Sequence, residues 1–324
     1  MNLPNHQHLT NIELLKNVVV QQGTIREDLS TLKRMLTVAL ASDEGEGNAV
    51  VITGASGSGK TTLLNRFYTE VIELKHSSAS FIMTMPASPT PKDFCIALLR
   101  VIGHPYGSDK ALIDAKESAL KHQIEVQIKT KNIRVLIIDE FQQLTERLGE
   151  KTMRSTADML KNWLSNFPLL MIFAGTESIT SLLNSNEQIS SRATVIKKWS
   201  MTIGCKSDYV DYVTFLQGLN DEVGFEKVKL YSPKLALCLF IATGGDLRRI
   251  RNAITNALAE AYAQNDEYVL ESHFKNTWSG VAHTFASSYK IKGNPWNKSC
   301  QDLEQLLNVS YDIHDIKFID DEAA

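Results

Sequence analysis

One octapeptide constrains this chain more than any other feature. Gly54-Ala55-Ser56-Gly57-Ser58-Gly59-Lys60-Thr61 matches G-x-x-x-x-G-K-[ST] in full. An apolar run, Val50-Val51-Ile52-Thr53, precedes it, and a helical pattern through Leu63, Leu64 and Phe67 follows. Strand, glycine-rich loop and helix in that order form a phosphate cradle. The glycines let backbone N–H groups converge on an anion, and the helix N-terminus adds a favourable dipole. Gly54, Ser56, Gly57, Ser58, Gly59, Lys60, Thr61 and Thr62 are the expected nucleotide contacts. Lys60 is expected to reach the β- and γ-phosphates of ATP, and the Thr61 hydroxyl to bind Mg²⁺.

A second constraint lies downstream. Val135-Leu136-Ile137-Ile138 ends in Asp139-Glu140. A carboxylate at the end of such a strand can hold the Mg²⁺ of a nucleotide, which is the role expected of Asp139. Glu140 beside it is placed to act as general base toward a water. Together the two motifs point to an enzyme that hydrolyses ATP to ADP and phosphate.

The rest of the chain alternates in the same way. Phe81–Met83, Leu169–Ala174 and Thr194–Trp199 read as further strands, apolar enough to be buried on both faces. That implies a parallel α/β sheet flanked by helices. Thr90-Pro91-Lys92-Asp93 caps one helix, and another runs from Thr152 to Asn166. Before the sheet, residues 12–40 read as two helical pieces broken at Gly23, the second opening on a capping-box pattern, Thr24 to Glu27. After Gly204 strand signals stop. Helices are expected at 208–222, 233–242 and 246–264, the last two separated by Gly244-Gly245, with Asp246 as the next cap. The expected division is an N-terminal helical extension at 1–44, an α/β nucleotide-binding core at 45–205, a small helical lid at 206–286 and an acidic tail at 287–324.

Composition excludes several classes. The 324 residues carry a net charge of −3, with 43% hydrophobic and 22% charged residues. Residues 301–324 hold seven acidic side chains and one Lys, which leaves +3 on the first 300. Any nucleic-acid contact must therefore come from a local basic face. The four cysteines, Cys95, Cys205, Cys238 and Cys300, show no metal-ligand spacing and read as reduced thiols. The polar start and the shortness of the longest apolar run, Leu235–Ala242, predict a soluble cytoplasmic protein without a membrane partner.

Five segments narrow the reading. The loop from Thr53 to Thr62, Leu136-Ile137-Ile138-Asp139-Glu140, Phe173-Ala174-Gly175-Thr176, Asn186-Glu187-Gln188-Ile189 with Ser191-Arg192, and Thr243-Gly244-Gly245-Asp246-Leu247-Arg248 resemble the TniB/TnsC family of AAA+ ATPases across about residues 45–265. These are regulators of target-selecting DNA transposons, including CRISPR-associated ones. The resemblance implies an AAA+ P-loop NTPase core with a helical lid, in a bacterial protein that oligomerises on double-stranded DNA as a ring or helical filament. It implies recruitment of a transposase, a TniQ-like target-selection partner, and disassembly driven by ATP hydrolysis. Thr176 becomes the sensor-1 residue, or a Thr capping the next helix. Arg192 becomes an arginine finger acting on a neighbouring subunit, or a salt-bridge partner. Arg248 becomes the sensor-2 arginine, with Arg249 beside it and a solvated helix as the alternatives. Lys129, Lys131, Lys151 and Arg154, in the segments flanking the acidic strand, become DNA contacts or solvated helix ends. Asn294-Pro295-Trp296, with Tyr289 and the acidic stretch Asp312 to Glu322, reads as a docking peptide or as a packed Trp closing the lid. A helicase-loader or secretion-type motor of the same superfamily, or an ATP-bound scaffold without catalysis, remain the alternatives.

Overall fold

The computed structural model describes residues 6–17, 23–41, 45–73, 79–87, 89–146, 149–198, 200–278 and 293–314. Tyr289 and most of the expected acidic stretch lie outside them. The chain divides into two compact units, Arg26–Lys198, and Met1–Ile25 together with Trp199–Ala324.

The first unit is an α/β layer structure. Five strands, β1 (Asn48–Gly54), β2 (Ser80–Thr84), β3 (Val135–Asp139), β4 (Leu170–Gly175) and β5 (Ala193–Lys198), form one sheet in the order β2-β3-β4-β1-β5. Every pairing is parallel, with Ile52 opposite Ala174 and Ile196, and Ile138 opposite Phe173 and Met83. Residues Ala49–Ile52, Val135–Ile138 and Leu170–Ala174 are buried throughout. Continuous apolar strands of this kind need helices on both faces, which the crossovers between parallel strands supply. Parallel pairing also gives the sheet a polarity: all strand C-termini share one edge and all N-termini the other.

The connecting helices carry the core. α3 (Lys60–Phe67) follows β1; α4 (Pro91–Ile102), α5 (Asp109–Asp114) and α6 (Glu117–Thr130) link β2 to β3. α7 (Gln142–Thr145) and α8 (Glu150–Asn166) link β3 to β4, and α9 (Thr180–Asn184) and α10 (Glu187–Ser190) lead into β5. Phe94, Phe141, Trp163 and Phe173 are fully buried, with ring centroids 4.7–6.3 Å apart between successive neighbours. α4 opens on the expected cap at Thr90, which the structure shows to be reciprocal with Asp93. The Thr90 backbone N–H and hydroxyl hold the Asp93 carboxyl below its ordinary range. α2 (Gly23–Leu40) starts one residue before Thr24, so the expected capping box is already helical there.

The second unit is helical: α1 (His6–Asn17), α11 (Lys206–Val223), α12 (Pro233–Thr243), α13 (Leu247–Gln264) and α14 (Glu271–Thr277), followed by a helix at Cys300–Leu306. α1 packs on α11 and α13, burying Leu15, and His8 Nε2 lies 2.9 Å from the Asp266 carbonyl. Gly244 ends α12 in the left-handed region at φ 64°, and the Asp246 side chain caps α13 by accepting from Arg249 N. Packing therefore departs from the expected division. The N-terminal helix belongs with the helical unit, and so do residues 293–314. Trp296 is buried, stacked on Phe274 at 6.5 Å and tilted against Trp278 at 5.4 Å. The Pro-Trp pair is a core element, not an exposed docking peptide, because its apolar area is already covered by α14. Among the described residues no helix is long and apolar enough to cross a membrane.

Candidate functional site

The site forms along the C-terminal edge of the sheet. β1 delivers the glycine loop, β3 delivers Asp139 and Glu140, and β4 delivers Gly175 and Thr176. β1 lies between β4 and β5; the chain leaves β1 for β2, on the β4 side of the sheet, and later passes from β4 across β1 to β5.

The loop turns through two glycines in the left-handed region, Gly57 at φ 84° and Gly59 at φ 89°. Gly54 is required for another reason. A Cβ there would lie 2.2 Å from the Lys198 carbonyl oxygen and 2.8 Å from Ser58 Oγ. Lys60, almost wholly buried, folds back and donates to the carbonyls of Gly54 and Ala55, both at 2.8 Å. Its ammonium is thus held inside the loop at the N-terminus of α3. The hydroxyls of Ser58 and Thr53 are buried without hydrogen-bond partners. A buried cation, a helix N-terminus and an unpartnered Ser58 hydroxyl in one loop fit an anionic group such as phosphate.

Asp139 completes a hard-cation donor set. Thr61 Oγ1 donates to Asp139 Oδ2 at 2.7 Å, across 78 positions of sequence. The other oxygen, Oδ1, accepts from Glu140 N at 2.8 Å. With both oxygens engaged the carboxylate has a fixed orientation. A hydroxyl beside a carboxylate is an all-oxygen set of the kind Mg²⁺ prefers when phosphate supplies further ligands. These residues therefore fit Mg·nucleotide.

Glu140 has an unusual backbone. Its φ is 56°, a left-handed conformation costing an L-residue roughly 1–2 kcal/mol. The turn aims the Glu140 amide at Asp139 and the Glu140 carboxylate at Gln142, whose Nε2 donates to Glu140 Oε2. Gln142 is buried and its Oε1 has no partner. Gly175 leaves room for it: a Cβ there would meet Gln142 Oε1 at 2.1 Å. Sequence reading missed Gln142; its place two residues after the acidic pair is the only available signal.

Thr176 sits just past β4 on the same edge. It precedes the short 3-10 turn Glu177–Ile179, but its side chain makes no cap bond. Its hydroxyl instead donates to Glu146 Oε1 at 3.2 Å and pairs with Ser178 Oγ at 2.8 Å. Of the two sequence readings, capping is thus not the role its side chain takes.

Arg192 lies at the opposite edge. It immediately precedes β5, its carbonyl accepts from Ala49 N, and its guanidinium bonds Glu46 at 2.7 Å and Ser165 at 2.9 Å. The length of β5 puts it roughly 17 Å from the loop end of β1. Arg248 is in the first turn of α13, in the helical unit.

The four basic residues do not form one surface. Lys129 and Lys131 enter β3 at the N-terminal edge, whereas Lys151 and Arg154 open α8, whose far end bonds Arg192 through Ser165. α8 spans about 25 Å, and parallel connectivity places residues before and after a strand at opposite edges. Lys131 is also committed: its ammonium donates to the Ile102 carbonyl, closing the end of α4. Lys151 is exposed, and Arg154 makes only a loose, exposed pair with Glu150 at 3.9 Å.

Residues 43–183 match a family model described as an AAA domain. No curated protein matches the sequence. The fold resembles the ORC2 protein of Aeropyrum pernix in its ADPNP–ADP complexes (TM-score 0.64, 16% identity, 86% of this chain and 74% of that one). It resembles Cdc6p from Pyrobaculum aerophilum (TM-score 0.63, 13% identity, 84% and 71%). A third likeness is to the Aeropyrum pernix ORC1 protein in complex with DNA (TM-score 0.52, 16% identity, 79% and 65%). The chain has the AAA+ P-loop NTPase fold, a parallel five-stranded sheet flanked by helices.

Proposed function

We propose that the protein is an Mg²⁺-dependent ATPase that regulates DNA transposition. It assembles on double-stranded target DNA and recruits a transposase with a TniQ-like partner, and hydrolysis takes the assembly apart. The observation carrying the ATPase reading is the Thr61–Asp139–Glu140 constellation beside the Lys60 loop. The transposition role rests on the five segments that resemble the TniB/TnsC family. Lys60, Ser58 and the loop amides hold the phosphates, and Thr61 and Asp139 hold the metal. Bound Mg²⁺ supplies charge neutralisation at the phosphates. Glu140, oriented by Gln142, accepts the proton of the attacking water. Thr176 positions that water or the γ-phosphate. Arg192 serves a neighbouring subunit, Arg248 contacts the phosphates, and Lys151 and Arg154 make the DNA contacts better than Lys131 does.

The test is duplex retention by Glu140→Gln with ATP, with ADP and without nucleotide, across a salt series. The variant keeps the shape of the site without the base, so it should hold DNA longer than wild type in ATP and release it as salt rises. Equal retention in all three nucleotide conditions replaces this reading with the scaffold or motor alternatives.

A further inference from the structure

We propose that Cys300, Glu304 and His314 form a binding site for a transition-metal dication of the zinc class, which staples the segment after the Cys300–Leu306 helix back onto that helix. Cys300 and Glu304 are four residues apart and share a helix face. The helix is fixed at its start by the reciprocal cap between Ser299 and Asp302. It ends where Asn308 turns left-handed at φ 53° and Val309 N donates to the Glu304 carbonyl at 2.9 Å. That reversal carries the chain back. Ile313 is buried in the same core as Leu303, and the Tyr311 hydroxyl donates to the Ile203 carbonyl at 2.5 Å. His314 follows, its backbone N–H bonded to Asp312 Oδ1 at 2.8 Å.

The result is three different donors converging from two segments. One ligand atom from each lies within 4.8 Å of the other two, and His314 Nε2 is 3.2 Å from Glu304 Oε1. Around tetrahedral zinc, with bonds of about 2.0–2.3 Å, ligand atoms stand about 3.3–3.8 Å apart, so small side-chain rotations close the set. Sulfur and imidazole select zinc-class ions over Mg²⁺ or Ca²⁺. His314 is exposed, which leaves a fourth position open to water. Lys234 is engaged with Glu271 at 2.5 Å. The Glu304–His314 hydrogen bond accounts for two of the groups, and the Cys300 sulfur lies within 4.8 Å of both. Local sequence spacing hides the site because its third ligand comes from beyond the turn.

The experiment uses the full chain, reduced, freed of metal and without nucleotide, titrated with Zn²⁺ by calorimetry and with Co²⁺ by absorption. One equivalent should bind, and the cobalt form should show a thiolate charge-transfer band. Cys300→Ser and His314→Ala should each weaken zinc by more than the about 10–100-fold that loss of an outer-shell partner costs. Cys300→Ser should also abolish the charge-transfer band, with circular dichroism unchanged. Cys205→Ser, removing the exposed thiol, should change nothing. Failure of the wild type to bind zinc overturns the proposal, as does binding that survives both ligand substitutions or is lost with Cys205→Ser.

Discussion

The bond between Thr61 and Asp139 can be weighed directly. Thr61→Val keeps the branched shape and removes the hydroxyl. In the nucleotide-free protein this strands Asp139 Oδ2 in a site where the residue is only 4% exposed. Hydrogen bonds to charged groups contribute about 1.5–3 kcal/mol. Asp139→Ala removes the partner, together with the acceptor for Glu140 N. The Glu140 bond is lost in both variants that carry Asp139→Ala and kept in both that do not, so a double-mutant cycle isolates the Thr61 term. The expected coupling is about 1.5–3 kcal/mol, a factor of about ten to 150 in the opening equilibrium. Native-state hydrogen exchange at Leu136–Ile138 reads it within the α/β unit, without assuming that both units unfold together. Additivity within about 0.5 kcal/mol refutes the bond as a feature of the free protein. A second arm uses ligand: Thr61→Val should weaken ATP binding in Mg²⁺ and leave Mg²⁺-free binding nearly unchanged. Equal losses in both conditions remove Thr61 from the metal site.

Two further outcomes are expected. Arg192→Ala should spare ATP binding by free subunits and suppress hydrolysis by the assembly, by a factor of about 10³ in the strongest cases of an arginine acting in trans; mixing it with Glu140→Gln should recover activity at junctions that pair intact residues, and no recovery in co-assembling mixtures rules out the in-trans role. Trp296→Ala should destabilise the helical unit by about 3–5 kcal/mol, seen as lost exchange protection in α12 and α14, because a buried indole is removed from contact with Phe274 and Trp278; unchanged protection returns the Pro-Trp segment to a docking role.

What was legible in the sequence was local. The five strands, the glycine loop and the acidic pair announced themselves by apolar runs and by motifs within ten residues. So did the caps at Thr90 and Asp246. What was hidden depends on contacts that no local pattern reports. Gln142 matters because Gly175, from another strand, makes room for it. Glu140 turns left-handed and aims its amide at the Asp139 carboxylate, a conformation that no local pattern marks. Trp296 looked exposed among Asn, Lys and Gly neighbours, yet α14 brings Phe274 against it. α1 reads as part of a separate N-terminal helical extension and packs on α11 and α13, far along the chain. The four basic residues flank one strand in sequence, and strand polarity separates them in space.

The polarity of the sheet bears most directly on the proposed mechanism. Everything that can hold a nucleotide within the α/β unit, from Lys60 to Asp139, Glu140 and Thr176, sits at the C-terminal edge. Arg192 sits at the other edge and is spoken for by Glu46 and Ser165. It cannot reach its own subunit's loop without unpairing β5 from β1. Two consequences follow under the transposition reading. A lone subunit lacks that arginine in its own site, so hydrolysis answers to assembly and not merely to ATP concentration. Forming the junction must also compete with the Glu46 pair and the Ser165 bond, in which the arginine side chain is 19% exposed and the Glu46 side chain 63%. An exposed pair contributes about 1 kcal/mol or less, and a hydrogen bond to a charged group about 1.5–3 kcal/mol. Releasing the arginine therefore costs on the order of the few kcal/mol it would return at the transition state, so the junction must offer it partners as good as the two it leaves.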